Sequence, residues 1–434
     1  MPGDKSISHR AVLLGASAVG TTEINGLLEG EDVLATAAAV EQMGAIVERP
    51  PENGLAPGGQ WRITGRGVGG LAEPAGVLDM GNSGTAARLM MGLVAAHPMR
   101  AAMSGDASLN GRPMQRVMTP LEKMGAQFVA RDGGRMPLTV IGSDELIPIE
   151  YELPVASAQV KSAILLAGLN TAGRTTVIEP VPTRDHSERM LAHFGAEIET
   201  EILQNGGRRI AITGRPELTA SAVDVPGDIS SAAFPLVAAA LVPGSNLTVA
   251  GVGVNELRTG ILDCLQEMGA AISIANRRDA AGEPVADITV LAGPLTGIDV
   301  PPERAPSMID EYPVLAVAAA FANGVTRMTG IGELRVKESD RLATVAAGLE
   351  AAGVRIEQGE DWLVVHGAGE APQGAPRGGM TVAVSLDHRI AMAFLVMGMA
   401  ARETVAVDDG SPIATSFPGF VALMNGLGAD MGGV

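Results

Sequence analysis

Glu41-Gln42-Met43-Gly44-Ala45-Ile46-Val47-Glu48 reads as the last turn of a helix, a glycine stop and the strand that follows. Glycine just past a helix takes the left-handed conformation without a Cβ penalty, so it ends the helix and turns the chain into Ala45–Glu48. The same closing returns at Met124-Gly125-Ala126, Phe194-Gly195-Ala196, Met268-Gly269-Ala270, Ala352-Gly353-Val354 and Leu427-Gly428-Ala429. Successive glycines lie 70–84 residues apart, longer than the roughly 20–50 residues of a solenoid repeat. Each interval has room for two helices and three or four short strands. Six repeated α/β subdomains follow, three to a domain.

The divide falls near Val225-Pro226-Gly227-Asp228, where a Pro-Gly turn precedes an apolar helix at Ile229–Ala240. That gives domains 1–226 and 227–434. Pro50–Gly59 and Gly367–Gly379 read as surface loops. The chain is 46% hydrophobic with only 3% aromatic residues, but holds 56 Gly and 21 Met, so its core is built of small and flexible side chains. A net charge of −18 argues against a nucleic-acid partner. A single cysteine, no apolar run of membrane-spanning length and no signal-peptide layout point to a cytoplasmic protein.

Charged and small polar residues gather where helices begin. In Met1-Pro2-Gly3-Asp4-Lys5-Ser6-Ile7-Ser8-His9-Arg10, Ser6 stands at an N-cap, Lys5 just before the first turn, and Arg10 one turn beyond Ser6. Free N–H groups, the positive dipole end, a lysine and an arginine suit a phosphate, though the stretch alone serves equally as a capped helix with a solvated basic end. Gly81-Asn82-Ser83-Gly84-Thr85 opens a helix carrying Arg88, and Gly84 lets backbone approach a ligand. Arg112 follows the loop Asp106–Gly111 and reads as exposed. Ser157-Ala158-Gln159-Val160-Lys161 places a hydroxyl, an amide and a lysine at one helix end, and Arg184 lies in the loop before the helix Ser187–Phe194. In the second half, Asp310 precedes the apolar helix Val314–Phe321, Lys337 and Arg341 stand one helical turn apart around Glu338, and Arg389 opens the apolar run Ile390–Met399. Each is also explained by capping or a solvated ion pair. Together, cations around at least two carboxylates suit proton transfer on an anionic substrate better than anion binding alone.

These motifs, with Arg335–Arg341 and Asp387-His388-Arg389, resemble 5-enolpyruvylshikimate-3-phosphate synthases along essentially the whole chain. Thr183-Arg184-Asp185-His186 and Ala414-Thr415-Ser416-Phe417-Pro418 are similar to the bacterial class II branch. The resemblance implies two domains of three βαβαββ subdomains each, an inside-out α/β barrel with helix N-termini facing an interdomain cleft, the first few residues crossing to the second domain. It implies transfer of the enolpyruvyl group of phosphoenolpyruvate to the 5-hydroxyl of shikimate 3-phosphate, with no metal or organic cofactor. Lys5, Ser6, Arg10, Ser157, Ala158, Gln159, Arg184, Asp310 and Lys337 would hold shikimate 3-phosphate. Lys5, Gly84, Arg112, Gln159, Arg341 and Arg389 would hold phosphoenolpyruvate. Asp310 would be the base, with Glu338 or Lys5 the acid. Glyphosate, which occupies the phosphoenolpyruvate site in the family, is implied as an inhibitor, and glycine rather than alanine at 84 implies sensitivity. A monomer without nucleic-acid or membrane partners is expected.

The family usually carries a short strand before Pro-Gly-Asp-Lys, so an upstream start or an unpaired edge is expected, and Thr415 stands where some relatives have a phosphoenolpyruvate-binding lysine. The related UDP-N-acetylglucosamine enolpyruvyl transferases work with a cysteine on a mobile loop; Cys264 instead lies mid-helix, where core packing explains it. A non-catalytic phospho-ligand binder is disfavoured by Asp310 and Glu338, and no metal-ligand spacing appears.

Overall fold

The computed structural model describes residues 1–50, 59–369 and 374–432. The loops read at Pro50–Gly59 and Gly367–Gly379 fall largely or partly outside them. Six sheets are present among the described residues, and all six closing glycines, Gly44, Gly125, Gly195, Gly269, Gly353 and Gly428, have positive φ between 84° and 114°. Each closes its helix with the same two bonds. Gly44 N donates to Glu41 O at 3.0 Å and Ala45 N to Val40 O at 3.1 Å, and the pattern repeats through Ala429 N to Met424 O at 3.0 Å. This is the Schellman closing, which satisfies carbonyls the helix end would leave bare.

Cα packing divides the chain into two compact units, one of Gly3–Pro226 with Asp279–Glu283, the other of Met1–Pro2, Gly227–Arg278 and Pro284–Val434. Each has its own apolar core, rich in Ala, Val, Leu and Met.

In the unit built on Gly3–Pro226, the first sheet sets Trp61–Thr64 antiparallel to Thr21–Asn25 and to Ile46–Glu48. Val223–Asp224 returns to its edge, parallel to Thr21–Asn25. The second and third sheets have four strands each, the last two of each repeat forming an antiparallel hairpin. The unit also contains the turn 279–283, where the His186 ring Nδ1 lies 2.7 Å from Glu283 Oε1, both side chains buried. The other unit carries sheets of three, four and two strands among its described residues.

The first helix of each repeat is the one that matters for the site. These helices, Lys5–Ser17, Gly84–Ala95, Ala158–Leu169, Ile229–Leu241, Tyr312–Phe321 and His388–Gly398, are buried along nearly their whole length. Apolar residues all round a helix demand this. Only their N-terminal turns are left for polar work. Five of the six are capped by a side chain, from Asp4, Ser83, Ser157, Asp228 and Asp387. Gly92 and Ala163 show how tightly they pack: a methyl added to Gly92 would lie 2.2 Å from the Ala163 carbonyl oxygen.

Candidate active site

In the unit built on Gly3–Pro226, the helix Lys5–Ser17 is capped by Asp4, whose Oδ1 accepts from Ile7 N at 2.9 Å. Ser6 is therefore inside the first turn rather than the cap, and Lys5 is the first helical residue. Asp precedes Ser in the chain and reaches the N–H first. Lys5 Nζ pairs with the buried carboxylate of Asp32. Arg10 is buried, and its fork is fully directed: Nε donates to Ser187 Oγ at 2.7 Å, Nη2 to Ser162 Oγ at 2.7 Å and Nη1 to Ser6 O at 2.8 Å. Burial pushes its pKa down to about 10, which Glu188 and Asp4 oppose and the nearby Arg184 reinforces, so it stays charged at neutral pH.

Arg112 is buried at 7% exposure, against the expectation of an exposed side chain. The segment before it is a short helix, Ala107–Gly111, rather than a loop. Arg112 Nη2 donates to Asn82 Oδ1 at 2.6 Å and to Ser108 Oγ at 2.9 Å, which aims the guanidinium beside Gly84. A Cβ on Gly84 would meet Arg88 Nη1 at 2.8 Å and Arg112 Nη1 at 3.2 Å. Ser157 caps the helix Ala158–Leu169, setting Ala158 and Gln159 in its first turn. Gln159 Oε1 accepts from Arg88 Nη1 at 2.7 Å and its Nε2 donates to Thr85 Oγ1 at 2.9 Å. Lys161 is not at a ligand-facing end. It is fully buried and pairs with Glu179 at 2.9 Å and Glu188 at 2.7 Å, because position 161 lies one turn deeper, on the core side.

In the other unit, Arg341 organises the site residues. It donates from Nη1 to Asp310 Oδ1 at 3.0 Å, from Nε to Asp387 Oδ2 at 2.8 Å, and from Nη2 to Glu338. Lys337 Nζ stands 3.8 Å from Asp310 Oδ1. Lys337 and Arg341 do not share a helix: a 3₁₀ segment, Gly332–Val336, ends before Lys337, and the α-helix starts at Arg341. The two carboxylates singled out in the sequence thus meet on one guanidinium. Burial alone would lower the Arg341 pKa, but Asp387, Glu338 and Asp310 outweigh it and hold it above the usual arginine range.

Arg389 lies in the first turn of His388–Gly398, with its N–H on Asp387 Oδ1 at 3.0 Å and its Nη1 3.7 Å from Glu311 Oε1. Glu311 also faces Arg258 Nη1 at 3.9 Å and accepts from Ser230. Asp32, Arg258, the bond from Ser230 to Glu311 and the hub role of Asp387 escaped sequence reasoning. Asp32 had one legible sign, an acid in the first turn of Glu31–Gln42; Arg258 had none. Cys264 is buried mid-helix, as expected, 3.4 Å from Arg304 Nη1. Thr415 Oγ1 donates to Pro412 O at 2.8 Å.

Among the described residues no helix is long and apolar enough to cross a membrane. The fold matches that of the crystal structure of the enolpyruvyl transferase NikO from Streptomyces tendae, with a TM-score of 0.76 at 18% identity, covering 99% of this chain and 94% of that one. The EPSP synthase of Acinetobacter baumannii superposes with a TM-score of 0.84 at 45% identity, covering 98% of this chain and 94% of that one. Among sequences, the 3-phosphoshikimate 1-carboxyvinyltransferase of Paramagnetospirillum magneticum is 62% identical over 433 residues, covering 100% of this chain and 95% of its own. That of Rhodospirillum rubrum is 62% identical over 431 residues, covering 99% and 94%. The family model for EPSP synthase (3-phosphoshikimate 1-carboxyvinyltransferase) matches residues 1–424, and the chain belongs to that family.

Proposed function

We propose that this chain transfers the enolpyruvyl group of phosphoenolpyruvate to the 5-hydroxyl of shikimate 3-phosphate, releasing phosphate, in the route to chorismate and the aromatic amino acids. Domains 1–226 and 227–434 each supply one cluster of residues to this reaction. Lys5, Ser6, Arg10, Ser157, Ala158, Gln159, Arg184, Asp310 and Lys337 bind shikimate 3-phosphate. Lys5, Gly84, Arg112, Gln159, Arg341 and Arg389 bind phosphoenolpyruvate.

The observation that carries the mechanism is the sharing of Arg341 by Asp310 and Glu338. Asp310 takes the proton of the 5-hydroxyl as its oxygen attacks C2 of phosphoenolpyruvate. Glu338, or Lys5, gives a proton to the methylene carbon, completing a tetrahedral intermediate. The methyl group then returns a proton to the group that protonated it as the C–O bond to phosphate breaks, restoring the double bond in the product and releasing phosphate. Arg341 has five N–H donors and directs three of its nitrogens at carboxylates. An arriving anion that takes part of this fork frees Glu338 to act. Positioning and charge compensation by the arginines supply the rest. No metal or organic cofactor takes part. The enzyme acts as a cytoplasmic monomer and is inhibited by glyphosate at the phosphoenolpyruvate site.

Phosphate release tests the reading. Release that requires both phosphoenolpyruvate and shikimate 3-phosphate is the expected result. Release with UDP-N-acetylglucosamine as acceptor instead, or with neither acceptor, overturns it.

A further inference from the structure

The helices Gly84–Ala95 and Ala158–Leu169 touch at Gly92 and Ala163, and Gly92 has no room for a Cβ there. One turn back toward each N-terminus stand Arg88 and Gln159, and these two side chains meet at 2.7 Å. The helices therefore run side by side in the same sense. Their close crossing fixes the distance over which Arg88 acts.

The Gln159 amide is ambivalent in principle, with an acceptor at one end and two donors at the other. Its neighbours remove the ambiguity. A guanidinium has no acceptor, so the Gln159 atom facing Arg88 is Oε1. Nε2 faces Thr85 Oγ1 at 2.9 Å and spends one of its two N–H groups there. The second N–H is the group Gln159 can present to a ligand. With the amide turned over, it would present an oxygen, which repels a phosphate or carboxylate.

We propose that Arg88 is a positioning residue for phosphoenolpyruvate binding: it locks the Gln159 amide with its N–H toward the anion, and position 84 controls the lock. The second part follows from Gly84, where a methyl would press on Arg88 Nη1 at 2.8 Å. A side chain there moves the guanidinium off Gln159 before any ligand is considered. The proposal rests on the reading of Gln159 as a phosphoenolpyruvate ligand.

A double-mutant cycle on the full-length enzyme tests it, using steady-state kinetics for both substrates. Arg88→Ala is expected to raise KM for phosphoenolpyruvate about tenfold or more, the usual effect of losing one charge-assisted hydrogen bond. KM for shikimate 3-phosphate, to which Gln159 is also assigned, should rise by a smaller factor, because the eight other residues assigned to that substrate are untouched. In a Gln159→Ala background the same substitution should add no more than about twofold, because the group it positions is gone. Once Arg88 is Ala, Gly84→Ala should lose the part of its effect on this KM that runs through Arg88 and keep only the part due to crowding beside Arg112.

Equal factors in both backgrounds would mean that Arg88 acts by its own charge or on the fold, and would overturn the proposal. So would an unchanged KM in Arg88→Ala. If Gln159→Ala alone leaves KM for phosphoenolpyruvate unaltered, the binding reading of Gln159 fails first, and the two failures are told apart. Should Arg88→Ala not fold, Arg88→Met repeats the cycle with the apolar part of the side chain retained.

Discussion

Arg341 and Asp387 bind each other at 2.8 Å with neither side chain more than 1% exposed. Asp387 also accepts from Ser339 Oγ at 3.0 Å and from the Arg389 N–H at 3.0 Å. One carboxylate therefore ties the helix Arg341–Ala351 to the start of His388–Gly398. Asp387→Ala breaks a buried pair and removes a cap, which costs about 3–5 kcal/mol. Urea unfolding followed by circular dichroism should show a clear drop in midpoint for the unit that holds it.

Asp310 and Glu338 lie on the same guanidinium but are assigned different steps. Asp310→Asn should lower kcat by about 10²–10⁴, the range for loss of a general base. Glu338→Gln should lower kcat without an equal change in affinity for shikimate 3-phosphate, which Asp310 and not Glu338 is proposed to contact. Stopped-flow and steady-state measurements on both proteins decide this, and near-normal turnover in Asp310→Asn would remove its role.

Gly84 bears on inhibition. A methyl at 84 would sit 3.2 Å from Arg112 Nη1, within the proposed phosphoenolpyruvate site, and would crowd whatever occupies it. Gly84→Ala is expected to raise the glyphosate inhibition constant about tenfold or more, since overpacking costs about 1–3 kcal/mol. An unchanged constant would rule out crowding at this position.

Two histidines make stability depend on pH. His9 is held well below the usual histidine range by burial, then by Lys5 and Arg10. His97 is lowered by burial, with the Leu93 carbonyl opposing. The unfolded chain thus takes up protons from about pH 6.5 downward more readily than the folded chain does, so stability is present above that pH and lost as pH falls. Each contributes up to about 1.4 kcal/mol per pH unit in this window. His9→Asn and His97→Asn should each flatten the pH dependence of the melting temperature between about pH 7 and 5.

Cys264 is buried, and burial pushes its thiol up to about 11 despite the opposing Arg304. It should resist thiol reagents in the folded protein and react only on unfolding. Cys264→Ala should keep its turnover within about twofold, as expected for a residue given no part in the proposed reaction.

The repeat was legible because the Schellman closing demands one residue type at one place, so Gly44 and its five counterparts carry the signal in one dimension. The helix starts were legible for a similar reason: capping residues announce them. Even so, Ser6 and Asp4 are both good caps, and only the actual first turn chose Asp4. What the chain hid was tertiary. Lys161 reads as a helix-end cation, yet the helix rotates it into the core, where Glu179 and Glu188 await. Arg112 reads as exposed because its partner Asn82 lies 30 residues away. The meeting of Arg341 with Asp387 spans 46 residues and has no local signature.

Glu283 completes the surroundings of His186, although the body they share is otherwise made of Gly3–Pro226. On the ribosome, that body cannot assume its finished form when residue 226 emerges; it must wait for the turn at 279–283. Met1–Pro2 likewise join partners from 227 onward, with Asp228 N on Pro2 O at 2.9 Å. Cutting the gene between codons 226 and 227 would therefore yield two incomplete products, and a clean dissection would have to exchange both short pieces.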